Sequence, residues 1–209
     1  PAGPGARLIG VCVGFLGRDA TLHSHLCGVE VAERGRDVGY ALKLHQRAWA
    51  LQQGIDRIAW TFDPLVRRNA YFNLAKLGTR PRRYLPDFYG VMADSLNAGD
   101  ASSDRLLVEW PLRDPRVVQA CTGTPLEIEL TKLRAGGAVV ALDADERGWP
   151  QPGPTDGQVV LVRVPAEIAK VRADDPACGL AWRVAVRDAL LGLLPGGATI
   201  TGFHRQGWY

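Results

Sequence analysis

HLCGVEVAERGRDVGYAL, residues 25–42, is the segment that decides the fold of this chain. Its apolar start indicates a β-strand, the glycines and arginines in its middle indicate a turn, and the spacing of its last residues indicates the beginning of a helix. A turn of this kind directs several backbone N–H groups and the positive end of the helix dipole at one point. That point favours a phosphate or pyrophosphate group. Asp37 occupies a position in the turn where an anion site favours glycine.

The composition is that of a globular protein with a balanced surface. The chain has 209 residues, 46% of them hydrophobic, and a formal net charge of +3. Its length fits one large domain or two small ones. Basic and acidic residues are interleaved without a block of like charge, so we expect no nucleic acid partner. No apolar run approaches the roughly 18 residues that a membrane span requires, so we expect no membrane partner.

The cysteines indicate free thiols rather than a metal site. Cys12, Cys27, Cys121 and Cys178 are far apart in the sequence and form neither a CxxC pair nor a zinc-ligand spacing. Free thiols are typical of a reducing compartment. Since no signal peptide is recognisable, we expect a cytoplasmic protein. The spacing of the cysteines leads us to expect no bound metal.

Hydrophobic periodicity predicts alternating strands and helices. The predicted strands are 7–15, 21–31, 55–62, 105–110, 126–130, 138–142, 159–164 and 198–204, with 82–89 as a strand or a loop. The predicted helices are 38–53, 63–77 and 177–194, with a linker at 92–104 and a surface loop at 146–157. Alternation at this spacing favours helices packed on a sheet with parallel segments. We therefore predict a mixed α+β fold, a three-layer α/β/α arrangement around a central sheet.

The motifs of the first half resemble those of the GNAT acyltransferase superfamily, which uses acetyl-CoA. In that family a strand ending in Val-x-Pro precedes Arg-Gly-x-Gly-x-Gly and the cofactor-binding helix. This chain has Val-Glu-Val at 29–31, Arg-Gly-Arg-Asp-Val-Gly at 34–39 and Lys-Leu-Gly at 76–78. The resemblance implies a GNAT-like acyltransferase fold with a mixed central sheet. The clear match covers roughly residues 7–110. A poorly characterised branch with two GNAT-like halves is further resembled by Trp-Thr-Phe-Asp-Pro-Leu at 60–65, Asn-Ala at 69–70, Tyr-Gly at 89–90 and Ser-Asp-Arg at 103–105. This resemblance implies one half at 1–104 and a degenerate second half at 105–209.

The resemblance also implies a ligand and an activity. The N–H groups of the turn would hold the pyrophosphate of acetyl-CoA or another acyl-CoA, and the strand before the turn would bind the pantetheine. The implied cofactor-binding residues are Val29, Val31, Arg34, Gly35, Arg36, Val38, Gly39, Tyr40 and Asn69. The activity would be transfer of an acetyl group to an amine of a small molecule or a peptide. The alternative is a GNAT-like protein that binds an acyl-CoA or another ligand without turnover.

Two residues are candidates for catalysis. His23 and His25 lie on one face of a predicted strand, and a histidine has the pKa to deprotonate an amine near neutral pH. We take His25 as the candidate base; the alternative is a pair of histidines that faces solvent or a helix. Many family members have a tyrosine four residues before the glycine of Lys-Leu-Gly, which protonates the CoA thiolate. Leu74 occupies that position here, and Tyr71 is the nearby candidate.

Asp37 is the main departure from the family pattern. The resemblance places it at the first turn glycine, close to the pyrophosphate. A carboxylate about 4 Å from a phosphate oxygen would cost about 1 to 4 kcal/mol, and a positive φ there would strain a residue that has a Cβ. A register shifted by two residues, 36–41, also satisfies the pattern Arg-x-x-Gly-x-Ala.

Three further sets of polar residues have alternative interpretations. Asn69 and Asn73 are four residues apart, which places both amides on one helix face, where they would contact pantetheine or an acceptor, or else solvent. Asp63 precedes Pro64 and is predicted to be a helix N-cap. Arg183 and Arg187 share a helix face, either as an anion clamp or, as we expect, as a solvated edge.

Overall fold

We describe the fold from a computed structural model, which covers residues 5, 7–17, 19–90 and 103–209. Its strands are β1 Gly10–Leu16, β2 Leu22–Val29, β3 Arg57–Phe62, β4 Arg80–Leu85, β5 Arg105–Pro111, β6 Val139–Ala144, β7 Pro150–Pro152 and β8 Val160–Val162. Its α-helices are α1 Val38–Gln52, α2 Arg67–Tyr71, α3 Pro115–Ala120, α4 Leu130–Ala135, α5 Ile168–Asp174 and α6 Pro176–Leu193. Most of the predicted linker at 92–104 lies outside the described residues.

The strands form two mixed sheets. The larger sheet has the order β1-β2-β3-β5-β4, in which only β2 and β3 run parallel to each other. The smaller sheet has the order β7-β6-β8, with β6 and β8 parallel. The structure thus confirms the mixed α+β class. Strand β5 follows position 104 in sequence and completes the larger sheet, while the division into halves at 104/105 stays a prediction.

Two helices position the sheets. Helix α1 packs against β1, β2 and β3, and α6 contacts β4 together with the three strands of the smaller sheet. One cluster of buried side chains runs from Leu22 in β2 to Tyr209 at the last position, so both sheets share a hydrophobic core. Helix α6 therefore joins the second sheet to the first.

Several elements differ from the prediction. Residues 126–130 and 198–204 do not form the predicted strands, and the chain has three short helices, α3, α4 and α5, that the periodicity did not indicate. The sequence does indicate the start of α3. Asp114 is the N-cap, its side chain accepts the Arg116 N–H, and Pro115 occupies the first helical position. Short segments of this kind are recognised by their caps rather than by a hydrophobic period.

Asp63 is not the N-cap that its Asp-Pro sequence predicts. Helix α2 begins at Arg67, three residues beyond Pro64. The Asp63 carboxylate accepts the Leu65 N–H at 2.9 Å and, from α6, two hydrogen bonds of the Arg183 guanidinium at 2.8 and 2.7 Å. The Arg183 side chain is 1% exposed. The expectation that Arg183 lies on a solvated helix edge is therefore wrong.

Arg187 makes a second link from α6 to the larger sheet. It donates to both carboxylate oxygens of Asp104 at 2.9 and 2.6 Å, and Asp104 also accepts the Tyr84 hydroxyl at 2.6 Å. Asp104 is 0% exposed. A solvated edge is the wrong interpretation for Arg187 as well, since both arginines of this face are used in ion pairs within the protein.

Replacement of Asp63 by asparagine is predicted to lower the free energy of unfolding at neutral pH by about 3 kcal/mol, since it removes the carboxylate charge that pairs with the buried Arg183 cation. Burial raises the pKa of Asp63, but the hydrogen bonds and charge of Arg183 outweigh burial and hold the pKa below its ordinary value. The stabilisation of the folded state by the Asp63–Arg183 pair is therefore complete at pH values above the ordinary pKa of an aspartate. It is lost as the pH falls through the lowered pKa of Asp63. Urea titrations across this range measure both effects.

The matched control is Asp56→Asn, because Asp56 pairs with Arg113 where both side chains are about two-thirds exposed. Exposed pairs contribute roughly 0 to 1 kcal/mol. Equal losses in the two variants would show that the Asp63–Arg183 pair does not hold α6 on the sheet.

Candidate functional site

The parallel strands β2 and β3 are paired along only part of their length. Their register contains Leu22 opposite Ile58 and His23 opposite Ala59, and no further pair. On the other side of β2, the pairing with β1 shifts register so that His25 is an extra residue between Ser24 and Leu26. This β-bulge bends β2. The strand edge from Ser24 to the end of β2 thereby leaves its parallel neighbour, which provides backbone groups for an extended ligand.

Lys43 of α1 occupies the point at which the two strands separate. Its Nζ donates to the Ser24 hydroxyl at 2.7 Å and to the Gln46 side-chain carbonyl at 3.1 Å, and it lies 3.9 Å from the centre of the Trp60 ring. Lys43 is 3% exposed. Burial lowers the pKa of its ammonium group. The sequence analysis missed this residue.

The turn after β2 leads into α1 without a side-chain cap. Gly35 has φ +83°, and Asp37, the N-cap residue, has φ +56° and makes no capping hydrogen bond with its side chain. The Asp37 carbonyl accepts the Ala41 N–H at 2.9 Å. The N–H groups of the three preceding residues, Val38 to Tyr40, make no hydrogen bond among the described residues. These N–H groups and the helix dipole give the turn the anion-binding character that its sequence predicts.

The Asp37 carboxylate is directed at a cation rather than into the turn. Lys76, from the Lys-Leu-Gly motif, donates to Asp37 at 2.5 Å, and the same ammonium lies 5.3 Å from the Tyr40 ring. Asp37 has a positive φ of +56°, which favours glycine, and aspartate is one of the few other residues that tolerate it. The pairing offsets much of the carboxylate charge, so the electrostatic objection to an anion here is smaller than the sequence suggested.

The structure brings most of the predicted cofactor-binding residues together at the strand–helix junction. Arg34 donates to the Val29 carbonyl at 3.4 Å, and Gly39 faces the Val29 side chain. Gly35, Val38 and Tyr40 belong to the same turn and the start of the helix. Arg36 pairs with Glu33, which is part of a short 3-10 helix at Val31–Glu33.

The two asparagines do not share a face. Asn69 is exposed on α2. Asn73 is 4% exposed, and its amide oxygen accepts the Trp60 indole N–H at 3.0 Å. A π-helical turn at Phe72–Lys76 changes the spacing that the prediction assumed. The amide of Asn73 is therefore part of the core, and only Asn69 is accessible to a ligand.

The candidate catalytic residues lie on different elements. His25 is the bulged residue of β2, and its ring makes an edge contact with Phe15 at 5.4 Å and lies 6.3 Å from the ring of His23. The Tyr71 hydroxyl donates to Glu127 at 3.1 Å, and Glu127 also pairs with Arg205. Leu74 is 1% exposed. The Tyr71 hydroxyl, the candidate proton donor in place of Leu74, is thus hydrogen-bonded to a carboxylate from the second half of the chain.

A cavity of about 800 Å³ lies between β1 and α1, away from the turn. It is lined by Gly10, Val11, Cys12, Gly14, Phe15, Leu16, Leu22, Leu42, His45, Gln46 and Trp49. None of the predicted site residues is part of this lining. The sequence analysis missed the cavity because its lining residues, from β1, β2 and α1, carry no shared motif.

Other kinds of site are not found in the parts of the chain that the structure describes. Within those ranges, no group of three or more His, Cys, Asp or Glu side chains could hold a metal ion. The helices described there are too short or too polar to cross a bilayer.

Comparisons with known proteins found similarity in structure only. No protein-family model matches the chain, and no curated protein matches it in sequence. Similar solved structures include IAA acetyltransferase from Bacillus cereus, which is 18% identical with a TM-score of 0.43. An acetyltransferase from Bacillus subtilis in complex with CoA is 19% identical, also with a TM-score of 0.43. Naa50 from Arabidopsis thaliana, in complex with a bisubstrate analogue, is 16% identical with a TM-score of 0.38.

These similarities span about half of this chain. The matches cover 51%, 51% and 48% of it, and 72%, 71% and 64% of the three other chains in the same order. The two Bacillus proteins are acetyltransferases by description. At these scores the likeness assigns neither a ligand nor a substrate.

Replacement of Lys43 by alanine is predicted to lower the free energy of unfolding by about 2 kcal/mol. The change removes two hydrogen bonds from a charged donor and leaves a cavity between β2 and β3, and relief of the buried charge offsets part of this loss. Thermal or urea unfolding measures the difference. Lys132→Ala is the control, because Lys132 pairs with Glu129 on the surface. A Lys43 variant as stable as the Lys132 variant would contradict the view that Lys43 stabilises the protein by contacting both Ser24 of β2 and Trp60 of β3.

Proposed function

We propose that this chain is a GNAT acetyltransferase that transfers an acetyl group from acetyl-CoA to an amine. One observation carries the proposal: strands β2 and β3 separate beyond a β-bulge, and the uncapped N-terminus of α1 begins just after the end of β2. An extended ligand with a pyrophosphate at one end is complementary to this combination of a free strand edge and an anion-binding turn.

The turn would hold the pyrophosphate through backbone groups. The N–H groups of Val38, Gly39 and Tyr40 supply donors, and Lys76 supplies a nearby cation that is now shared with Asp37. The pantetheine would then lie along the edge of β2 after Ser24, where its amides can pair with strand backbone groups. Gly39 keeps the junction open because it places no side chain over the approach to Val29.

The reaction would be a direct attack on the thioester. The nitrogen lone pair of the amine attacks the acetyl carbonyl carbon, the carbon–sulfur bond breaks, and the electron pair leaves with the CoA thiolate, which then takes up a proton. His25, at the bulge, would accept the proton of the attacking amine, and Tyr71 is the candidate donor to the thiolate. Positioning of the two substrates would contribute most of the rate.

A second candidate function is binding of an acyl-CoA without turnover. Two observations favour it: the buried Leu74 cannot donate a proton from the family's tyrosine position, and the Tyr71 hydroxyl already donates to Glu127. For the transferase we propose an amine of a small molecule or a peptide as the acceptor. For either function we propose a cytoplasmic location.

Asp37→Gly is predicted to tighten binding of acetyl-CoA. The change removes a carboxylate from beside the proposed pyrophosphate, frees Lys76 to pair with the phosphates, and places glycine where φ is positive. We expect about fivefold tighter binding, or about 1 kcal/mol, because the pair is exposed on the Asp37 side. Isothermal calorimetry with acetyl-CoA measures it, with Asp56→Gly as the control for loss of an exposed aspartate. Unchanged or weaker binding in the Asp37 variant would refute the placement of the pyrophosphate.

His25→Ala is predicted to lower acetyl transfer to an accepted amine by about 10²-fold or more while leaving acetyl-CoA affinity unchanged. The measurement is CoA thiol release across an amine panel, paired with calorimetry for each variant. His45→Ala, which removes an exposed histidine of α1, is the control. Full activity in the His25 variant would show that His25 is not the base. If the unaltered protein binds acetyl-CoA but releases no thiol with any amine, the result would favour the non-catalytic alternative.

A further inference from the structure

Cys12 and Cys27 are direct cross-strand neighbours. They face each other in the antiparallel register of β1 and β2. The Glu30 N–H donates to the Ile9 carbonyl at 2.9 Å, which makes Ile9 and Glu30 a hydrogen-bonded pair. Hydrogen-bonded and non-hydrogen-bonded pairs alternate along the ladder, so Cys12 and Cys27, three positions further, form a non-hydrogen-bonded pair. The Cα atoms of such pairs are about 4.5 Å apart, within the range that a disulfide spans.

The surroundings of this pair favour a thiolate on Cys12. The neighbouring Cys27 thiol lowers the pKa of Cys12 to about 6, against the effect of burial, with further lowering by the Lys43 charge and by Ser24. Proximity to Cys12, together with burial, raises the pKa of Cys27. Ser24 connects these groups, since its hydroxyl lies 3.9 Å from the Cys12 sulfur and accepts from Lys43. These surroundings favour ionisation of Cys12 before Cys27.

The pair is also open to small molecules, unlike Cys178. Cys12 lines the cavity between β1 and α1, and Cys27 is exposed. Cys178 is buried, with its thiol donating to the Gly148 carbonyl at 3.7 Å. Burial raises the pKa of both Cys121 and Cys178. Low pKa, access and an adjacent second thiol coincide at Cys12, the combination that makes a cysteine sensitive to oxidants.

We propose that Cys12 and Cys27 are a peroxide-oxidisable thiol pair, in which Cys12 is the reacting sulfur and Cys27 the resolving one. The Cys12 thiolate attacks one oxygen of a hydroperoxide, the O–O bond breaks, and the released alkoxide or hydroxide takes a proton from water. The Cys27 sulfur then attacks the resulting Cys12 sulfenic acid, a disulfide forms, and water leaves. Two electrons pass from the two thiols to the peroxide. This inference is independent of the proposed acetyl transfer.

The test is treatment of the full chain with hydrogen peroxide near neutral pH, followed by alkylation of the remaining thiols and peptide mass mapping. We expect a disulfide between Cys12 and Cys27, seen as a mass loss of about 2 Da that dithiothreitol reverses, while Cys121 and Cys178 are alkylated. Alkylation of all four cysteines, or oxidation that begins at Cys121 or Cys178, would overturn the proposal.

Three variants separate the roles. Cys27→Ser is expected to stop at the Cys12 sulfenic acid, which dimedone labels, and Cys121→Ser is the control that should form the disulfide as before. Lys43→Met is expected to slow Cys12 oxidation several-fold because it removes the cation that favours the thiolate. In a Cys12→Ser variant, dimedone should label Cys27 more slowly than it labels Cys12 in the Cys27→Ser variant. Equal rates would contradict the assignment of Cys12 as the reacting sulfur. An unchanged rate in folded Lys43→Met, verified by circular dichroism, would overturn the role of Lys43.

Discussion

A single buried ammonium group lies where two parallel strands separate, and the candidate site depends on it. Lys43 donates to Ser24 of β2 and lies against the ring of Trp60 of β3, just beyond the last paired residues of those strands. It thereby closes the gap between the strands from the side of α1 and fixes that helix on the sheet. Since α1 begins directly after the turn, its position also determines where the free N–H groups are directed.

The second half of the chain is tied to this framework by ionic contacts as well as by a shared core. The Asp63–Arg183 and Asp104–Arg187 pairs connect α6 to the ends of β3 and β5. Buried pairs of this kind contribute less to stability than to a unique arrangement, because desolvation of the charges offsets much of their attraction. The Tyr71–Glu127 hydrogen bond extends the connection to the candidate catalytic region. The second half thus contacts Tyr71, the proposed proton donor.

The sequence predicted the local elements of the site better than its long-range contacts. Strand β2, the turn and α1 follow from apolar periodicity and from glycine placement, both of which are local properties. The partner of Asp37 could not be predicted, because Lys76 is distant in sequence and only the packing of α2 brings it close. The same reason explains Asp63: its Asp-Pro signal favours a cap, but a guanidinium from α6 competes for the carboxylate. The cavity between β1 and α1 forms only when these elements pack, and the bulge at His25 is a local register shift against β1 that the apolar pattern did not locate.

The central claim is that the N–H groups at the start of α1 bind the pyrophosphate of CoA. Titration of the ¹⁵N-labelled chain with CoA, followed by amide NMR, tests this claim most directly. We predict that the largest shifts occur at Val38, Gly39 and Tyr40, with downfield movement as their N–H groups gain an anionic acceptor. Saturable binding with its largest shifts along the cavity lining, at Val11, Phe15 and Trp49, would contradict the claim, as would a spectrum that CoA leaves unchanged.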